Sequence, residues 1–168
     1  MTEELLQINS VFSFAYLMFF LGTFIVYFIS LQSVILVVGE KIVLLKTIIT
    51  SVIMALWMTA CRRFFPTPYN MLLFYGLMIG VVAFVFKIPL KKAIIGVVFA
   101  LLLTMLSSVT ITMNLLIHTN MRASAWNSFV GFLLMSLTEV FFNLVYVLLA
   151  MRYENLNLSF LFAEEENV

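Results

Sequence analysis

Few side chains in this chain could do chemistry, and the most informative is a single carboxylate, Glu139, set within the apolar run from Ser128 to Ala150. Charge is costly in hydrocarbon, so an acidic residue there must face a bundle interior, a polar cavity or a partner. Ser128, Gly131, Met135, Ser136, Asn143, Tyr146 and Ala150 share its face at helical spacing. The preceding run repeats the pattern: Gly96, Ala100, Thr104, Ser107, Ser108, Asn114 and His118 fall within a sector of about 120° at 100° per residue. Small residues let backbones approach, and hydroxyls and amides bond across helices. The two stripes can therefore face each other, with Ser107, Ser108 or Asn143 as expected partners of Glu139. Two readings stay open. The stripes are packing seams, with Glu139 carrying its proton or held by hydroxyls; or Glu139, Asn143, Ser136, Thr104, Ser107, Ser108 and Asn114 form a polar cluster that binds a ligand or couples to a second subunit.

Catalytic chemistry is poorly provided for. The chain has no Asp and one His, which excludes an intramembrane aspartyl protease, an HExxH zinc site and an Asp-rich phosphotransfer site. Cys61 and His118 lie at the ends of two apolar runs with no supporting motif around either. Cys61 cannot make an internal disulfide and reads as a small apolar filler, with cross-linking or palmitoylation as the alternatives. His118 reads as a loop or interfacial residue. The expectation is a non-enzyme with no metal and no cofactor.

The elements that position these residues are set by composition. The chain is 64% hydrophobic and 10% charged, with mean hydropathy +1.17, whereas about a quarter of the residues in a soluble domain are charged. A net charge of +1 gives no bulk attraction for nucleic acid. A bilayer span consumes roughly 20 residues, so the expected fold is all-α: one polytopic membrane helical bundle over 1–168 with about five transmembrane helices. The runs of 20 or so residues are too long, and too uniformly apolar, for the strands of a membrane barrel, whereas helices satisfy their own backbone groups in lipid.

The apolar runs place spans at about 11–31, 42–61, 69–86, 93–117 and 128–150, with a short tail, 151–168, after the last. Apolar character continues from Leu31 to Val38, so the first span is tilted or leads into an interfacial stretch, and a sixth span there is the alternative. Arg62, Arg63, Pro66 and Pro68 make the clearest break. Similar helical stripes occur on the first span (Ser13, Tyr16, Thr23, Tyr27, Ser30) and the second (Thr47, Thr50, Ser51, Met54, Ala55, Met58). Glu3 and Glu4, with no Lys or Arg before Ser10, are the wrong charge for a secretory signal peptide, so the first span is expected to be retained.

Lys and Arg in the short loops set orientation. With the N-terminus outside, Lys41, Lys46, Lys87, Lys91, Lys92 and Arg152 lie on the cytoplasmic side against Arg62, Arg63 and Arg122 outside, six against three. The tail is then cytoplasmic. Lys87, Lys91 and Lys92 read as headgroup anchors, with binding of anionic lipid as the weaker alternative. The 11 Met and 18 Phe suit lipid contact and adaptable packing.

An apolar helix, the basic turn Phe86-Lys87-Ile88-Pro89-Leu90-Lys91-Lys92-Ala93, a long helix and a polar loop succeed one another between Met71 and Tyr153. This order resembles the multi-span sensor region of accessory-gene-regulator-type histidine kinases of the GHKL group. The resemblance covers the last three spans. It implies a sensor-like membrane domain without the kinase half, since the chain shows no phosphoacceptor His or ATP-binding domain after them. Substrate-binding subunits of vitamin-type importers are similar in size and hydropathy, and a scaffold subunit of a larger membrane complex is the third alternative. The expectation is a multi-pass plasma-membrane protein of sensor-like or regulatory role in signal transduction. It would act through helix–helix contacts with a membrane or cytoplasmic protein partner, or with a second copy of itself.

Overall fold

The computed structural model describes residues 2–61, 64, 67–119, 129–153 and 156. Arg62, Arg63, Pro66, Arg122, Ser128 and the acidic tail lie outside them. The elements are α1 (Thr2–Val37), α2 (Leu44–Cys61), α3 (Thr67–Phe84), α4 (Leu90–Ser107), a π-helical turn (Ser108–Thr112), α5 (Met113–Thr119), α6 (Phe129–Glu139) and α7 (Phe141–Arg152). No strand occurs among the described residues.

Three segments are long and apolar enough to cross a membrane: Tyr16–Val37, Leu44–Cys61 and Leu90–Leu115. The bent pair Leu133–Glu139 and Phe141–Arg152 makes a fourth if counted as one broken span. In α3 the apolar part is only Leu72–Phe84, 13 residues, or about 20 Å at 1.5 Å per residue, short of the ~30 Å hydrocarbon core.

The first helix does not stop near Leu31. It continues to Val37 because no Gly or Pro interrupts the chain between Thr23 and Val38. Gly39, at φ 82°, then ends it. Glu40 N–H donates to Ile35 O (3.1 Å) and Gly39 N–H to Leu36 O (3.0 Å), the paired bonds of a Schellman cap, which needs a left-handed residue at this position.

Packed at the centre, α1 touches α2, α3, α4, α6 and α7. Its Tyr27, Leu31, Val34 and Ile35 form the core with Met54 and Met58 of α2, Met78 and Val82 of α3, and Val97 and Ala100 of α4. The Tyr27 and Phe74 rings stack with centroids 4.1 Å apart, joining α1 to α3. On α2 the whole polar stripe, Thr47, Thr50, Ser51, Met54, Ala55 and Met58, is buried, while Leu45, Ile49, Ile53 and Trp57 point outward. Such apolar outer faces fit transmembrane helices.

The glycines give a test of α1–α4 packing. A Cβ on Gly96 would come within 2.9 Å of Val34 Cγ1 and 3.2 Å of Val34 O, whereas Cβ atoms on Gly76 and Gly80 meet nothing within 4 Å. Gly96→Ala is therefore expected to destabilise by about 1–3 kcal/mol through overpacking against backbone. Gly80→Ala should stabilise by about 0.5–1 kcal/mol through helix propensity. Thermal unfolding in one detergent compares them, and equal shifts would remove the inferred close approach.

Candidate functional site

The expected last span is not one helix. It breaks at Val140, whose backbone leaves the helical region (φ −108°, ψ 14°), and the two halves meet at 61°. No Gly or Pro lies between Phe132 and Arg152; the cause is a side chain inserted into the backbone ladder. Phe142 N–H donates to Ser107 Oγ at 2.9 Å, where a continuous helix would have it donate to Thr138 O. The Ser107 hydroxyl, buried in α4, donates in turn to Leu103 O at 3.0 Å. One hydroxyl thus satisfies an orphan amide of the first turn of α7, the kind of group that every helix start leaves unpaired.

Asn143 lies one residue further, fully buried. Its Nδ2 donates to Ala100 O (3.2 Å) and to Thr104 Oγ1 (2.9 Å). Its backbone carbonyl accepts from Ser33 Oγ at 3.1 Å. The Thr104 hydroxyl donates to Ala100 O at 2.9 Å, and Tyr75 of α3 lies near Thr104. Four helices, α1, α3, α4 and α7, therefore meet at one polar seam. Asn143 Oδ1 is buried there without a hydrogen-bond partner among the described residues.

The π-helical turn comes directly after Ser107 and packs against α6. Along this stretch Thr110 Oγ1 donates to Leu106 O (2.7 Å) and Asn114 Nδ2 to Thr110 O (2.6 Å). Such back-bonding loosens a helix and favours bending, and π-turns recur at functional sites. Two irregular backbone segments, the π-turn and the Val140 break, thus lie side by side.

Of the residues singled out from the sequence, Thr104, Ser107 and Asn143 come together in the seam. Ser136 is buried one turn before the break, Ser108 is half-buried at the start of the π-turn, and Glu139 is half-buried as the last residue of α6. Ser107 and Asn143, two of the three expected partners of Glu139, give their donors instead to Leu103, Ala100 and Thr104. Tyr75 lies close enough to Glu139 for an electrostatic interaction. Asn114 is exposed and bonded to its own helix, away from the seam. Ser33 and Tyr75 belong to the seam without having stood out in the sequence. Ser33 continues the Tyr27 and Ser30 stripe at the next three-residue step, which is the signal that could have found it.

The Lys87, Lys91 and Lys92 turn forms one end of the bundle. Lys87 adopts φ 59°, a left-handed conformation costing a non-glycine residue roughly 1–2 kcal/mol. Lys46 Nζ sits 4.8 Å from the Phe86 ring centroid, which brings the α1–α2 and α3–α4 turns together. Asn143 faces Ala100 and Thr104, and Tyr146 packs edge-on against Phe99 at 5.0 Å, so α7 runs antiparallel to α4 and carries Arg152 toward the same end. Lys41, Lys46, Lys87, Lys91, Lys92 and Arg152 gather there with Glu40.

Among the described residues no group of three or more His, Cys, Asp or Glu side chains could hold a metal ion. No protein-family model matches this chain, and neither a curated protein nor a solved structure does.

Proposed function

We propose that this chain is a non-catalytic integral membrane protein of about five spans, a sensor-like or regulatory subunit whose moving part is the joint at Val140. The observation that carries this reading is the Asn143 acceptor, buried without a partner among the described residues, as are Tyr27 Oη, Ser30 Oγ and Ser51 Oγ, while the Nδ2 of the same amide is bonded to Ala100 O and Thr104 Oγ1. An unmet buried acceptor costs about 1–3 kcal/mol. A second packing of α6 and α7 that pairs it recovers that cost, so a modest difference in ligand or partner affinity suffices to shift the balance between the two. Glu139 ends α6 at the pivot and is the ionisable group through which such a bias acts. The likeness of Met71–Tyr153 to a kinase sensor region points the same way. In this reading the basic end faces the cytoplasm, by the excess of Lys and Arg, and α7 passes the change to a partner there.

The test is a pair of Glu139 variants with spin labels on the exposed residues Leu134 of α6 and Leu148 of α7. Glu139→Gln is expected to leave stability within about 0.5 kcal/mol while shifting the inter-label distance distribution; Glu139→Ala should shift it too. A packing role instead survives the amide, with the distribution unchanged, and suffers only on truncation. That second outcome would remove the joint as a moving part.

A further inference from the structure

Between α2 and α3 an apolar groove of about 430 Å³ opens on the outer surface. Ile49 and Ile53 of α2 line it on one side, Val81 and Val85 on the other, and Lys46 stands at the end nearest the turns. From Val43 to Ile53 it runs along α2 for about 15 Å at 1.5 Å per residue. We infer that this groove is a binding site for one anionic phospholipid, its acyl chain lying along Ile49 and Ile53 and its phosphate headgroup held at Lys46.

Charge and depth select this occupant. Lys46 lies in the first turn of α2, at the level where a headgroup begins, and apolar side chains continue inward from it. The ammonium rests on the Phe86 ring; the ring face offsets part of the desolvation but takes up no conventional hydrogen bond, so the amine keeps donors for a phosphate oxygen. Lys41 and Lys87 lie in the turns at that end of the bundle, with Glu40 as the one acidic residue described there. A net-neutral headgroup gains nothing from that field, whereas an anionic one does. A transmembrane helix from a partner would fill the apolar part and leave Lys46 unanswered. Lipid binding at this groove is independent of the Val140 joint.

The full chain in detergent, exposed to an equimolar mixture of dioleoyl phosphatidylglycerol and dioleoyl phosphatidylcholine, reports the site by native mass spectrometry. One lysine at the surface favours the anionic lipid about fivefold, so phosphatidylglycerol is expected to be retained at about that ratio. Lys46→Gln should lower the ratio severalfold, Lys46→Arg should restore it, and Ile49→Trp, at an outward position that does not enter the core, should lower retention of both lipids. Equal retention by the unaltered chain, a ratio unmoved by Lys46→Gln, or a photo-crosslinker at position 49 that captures a stoichiometric protein from the native membrane in place of lipid would each overturn the assignment.

Discussion

Asn143→Asp is expected to cost about 3–5 kcal/mol, the penalty of an uncompensated buried charge. The amide gives two donors to Ala100 O and Thr104 Oγ1, and a carboxylate in the same place presents acceptors to those acceptors. Asn143→Leu should be far milder, about 1 kcal/mol, because it removes the two bonds and the unpaired Oδ1 together, while Thr104 Oγ1 and Ala100 O keep the bond between them. Asn143→Ala adds a cavity to the lost bonds and should fall between. Unfolding of the three variants in one detergent measures the order, Asp worst and Leu best. A Leu variant as damaged as Asp would mean that the amide is indispensable and that the seam holds no recoverable cost.

Ser107→Ala comes next, at about 1–3 kcal/mol, since it leaves the part-buried Phe142 N–H without its acceptor. The break should then close toward a straight helix in which Phe142 N–H regains Thr138 O. Thr110→Ala is the control: its hydroxyl also donates to its own helix but is exposed, so the change should stay within about 0.5 kcal/mol. Because Ser107 and Asn143 meet the same turn of α7, their combined loss should not equal the sum of the single losses. Additive losses, or a Ser107→Ala chain with its bend intact, would show that something other than the serine holds the joint open.

How much of the fold is legible in the sequence depends on the range of the forces involved. Long apolar runs, set by the cost of unpaired backbone in lipid, are local, so α2 and α4 begin near their expected starts, whereas α1 runs from Thr2 to Val37 and overshoots the expected 11–31 at both ends. The end of α1 moved from Leu31 to Val37 because its stop signal is Gly39, whose left-handed backbone takes precedence over the weak polarity of Ser30 and Gln32. The buried stripe of α2 was legible residue by residue, since a straight α-helix keeps its 100° step. On α4 the same ruler worked as far as Ser107 and failed at Asn114. The π-turn inserts an extra residue between them, and each added residue rotates the downstream side chains by about 100°. The break at Val140 had no local signal: it is made by Ser107, 35 residues earlier in the chain. Glu139 stood out as costly, yet its residue type could not reveal that neighbouring donors would be taken by backbone carbonyls.

Ser33, Thr47 and Ser107 are buried and donate to backbone carbonyls, and the two irregular turns sit side by side next to Ser107. The basic turns collect at one end, and the outer faces of α2, α4 and α7 are apolar. On the proposed readings, a lipid held at Lys46 braces α2 against α3 at that end and leaves α6 and α7 to hinge at Val140.

The measurement that reaches furthest is single-cysteine labelling in sealed native vesicles, in a Cys61→Ser background, with a membrane-impermeant maleimide. Cysteines at Ile53 and Leu102, both exposed on the outer faces, are expected to stay unlabelled even after the vesicles are opened without detergent, and cysteines at Gly39 and Lys87 to react only from the cytoplasmic face. Ready labelling of positions 53 and 102 in water would contradict the placement of these helices in hydrocarbon, and with it the seam, the joint and the lipid groove.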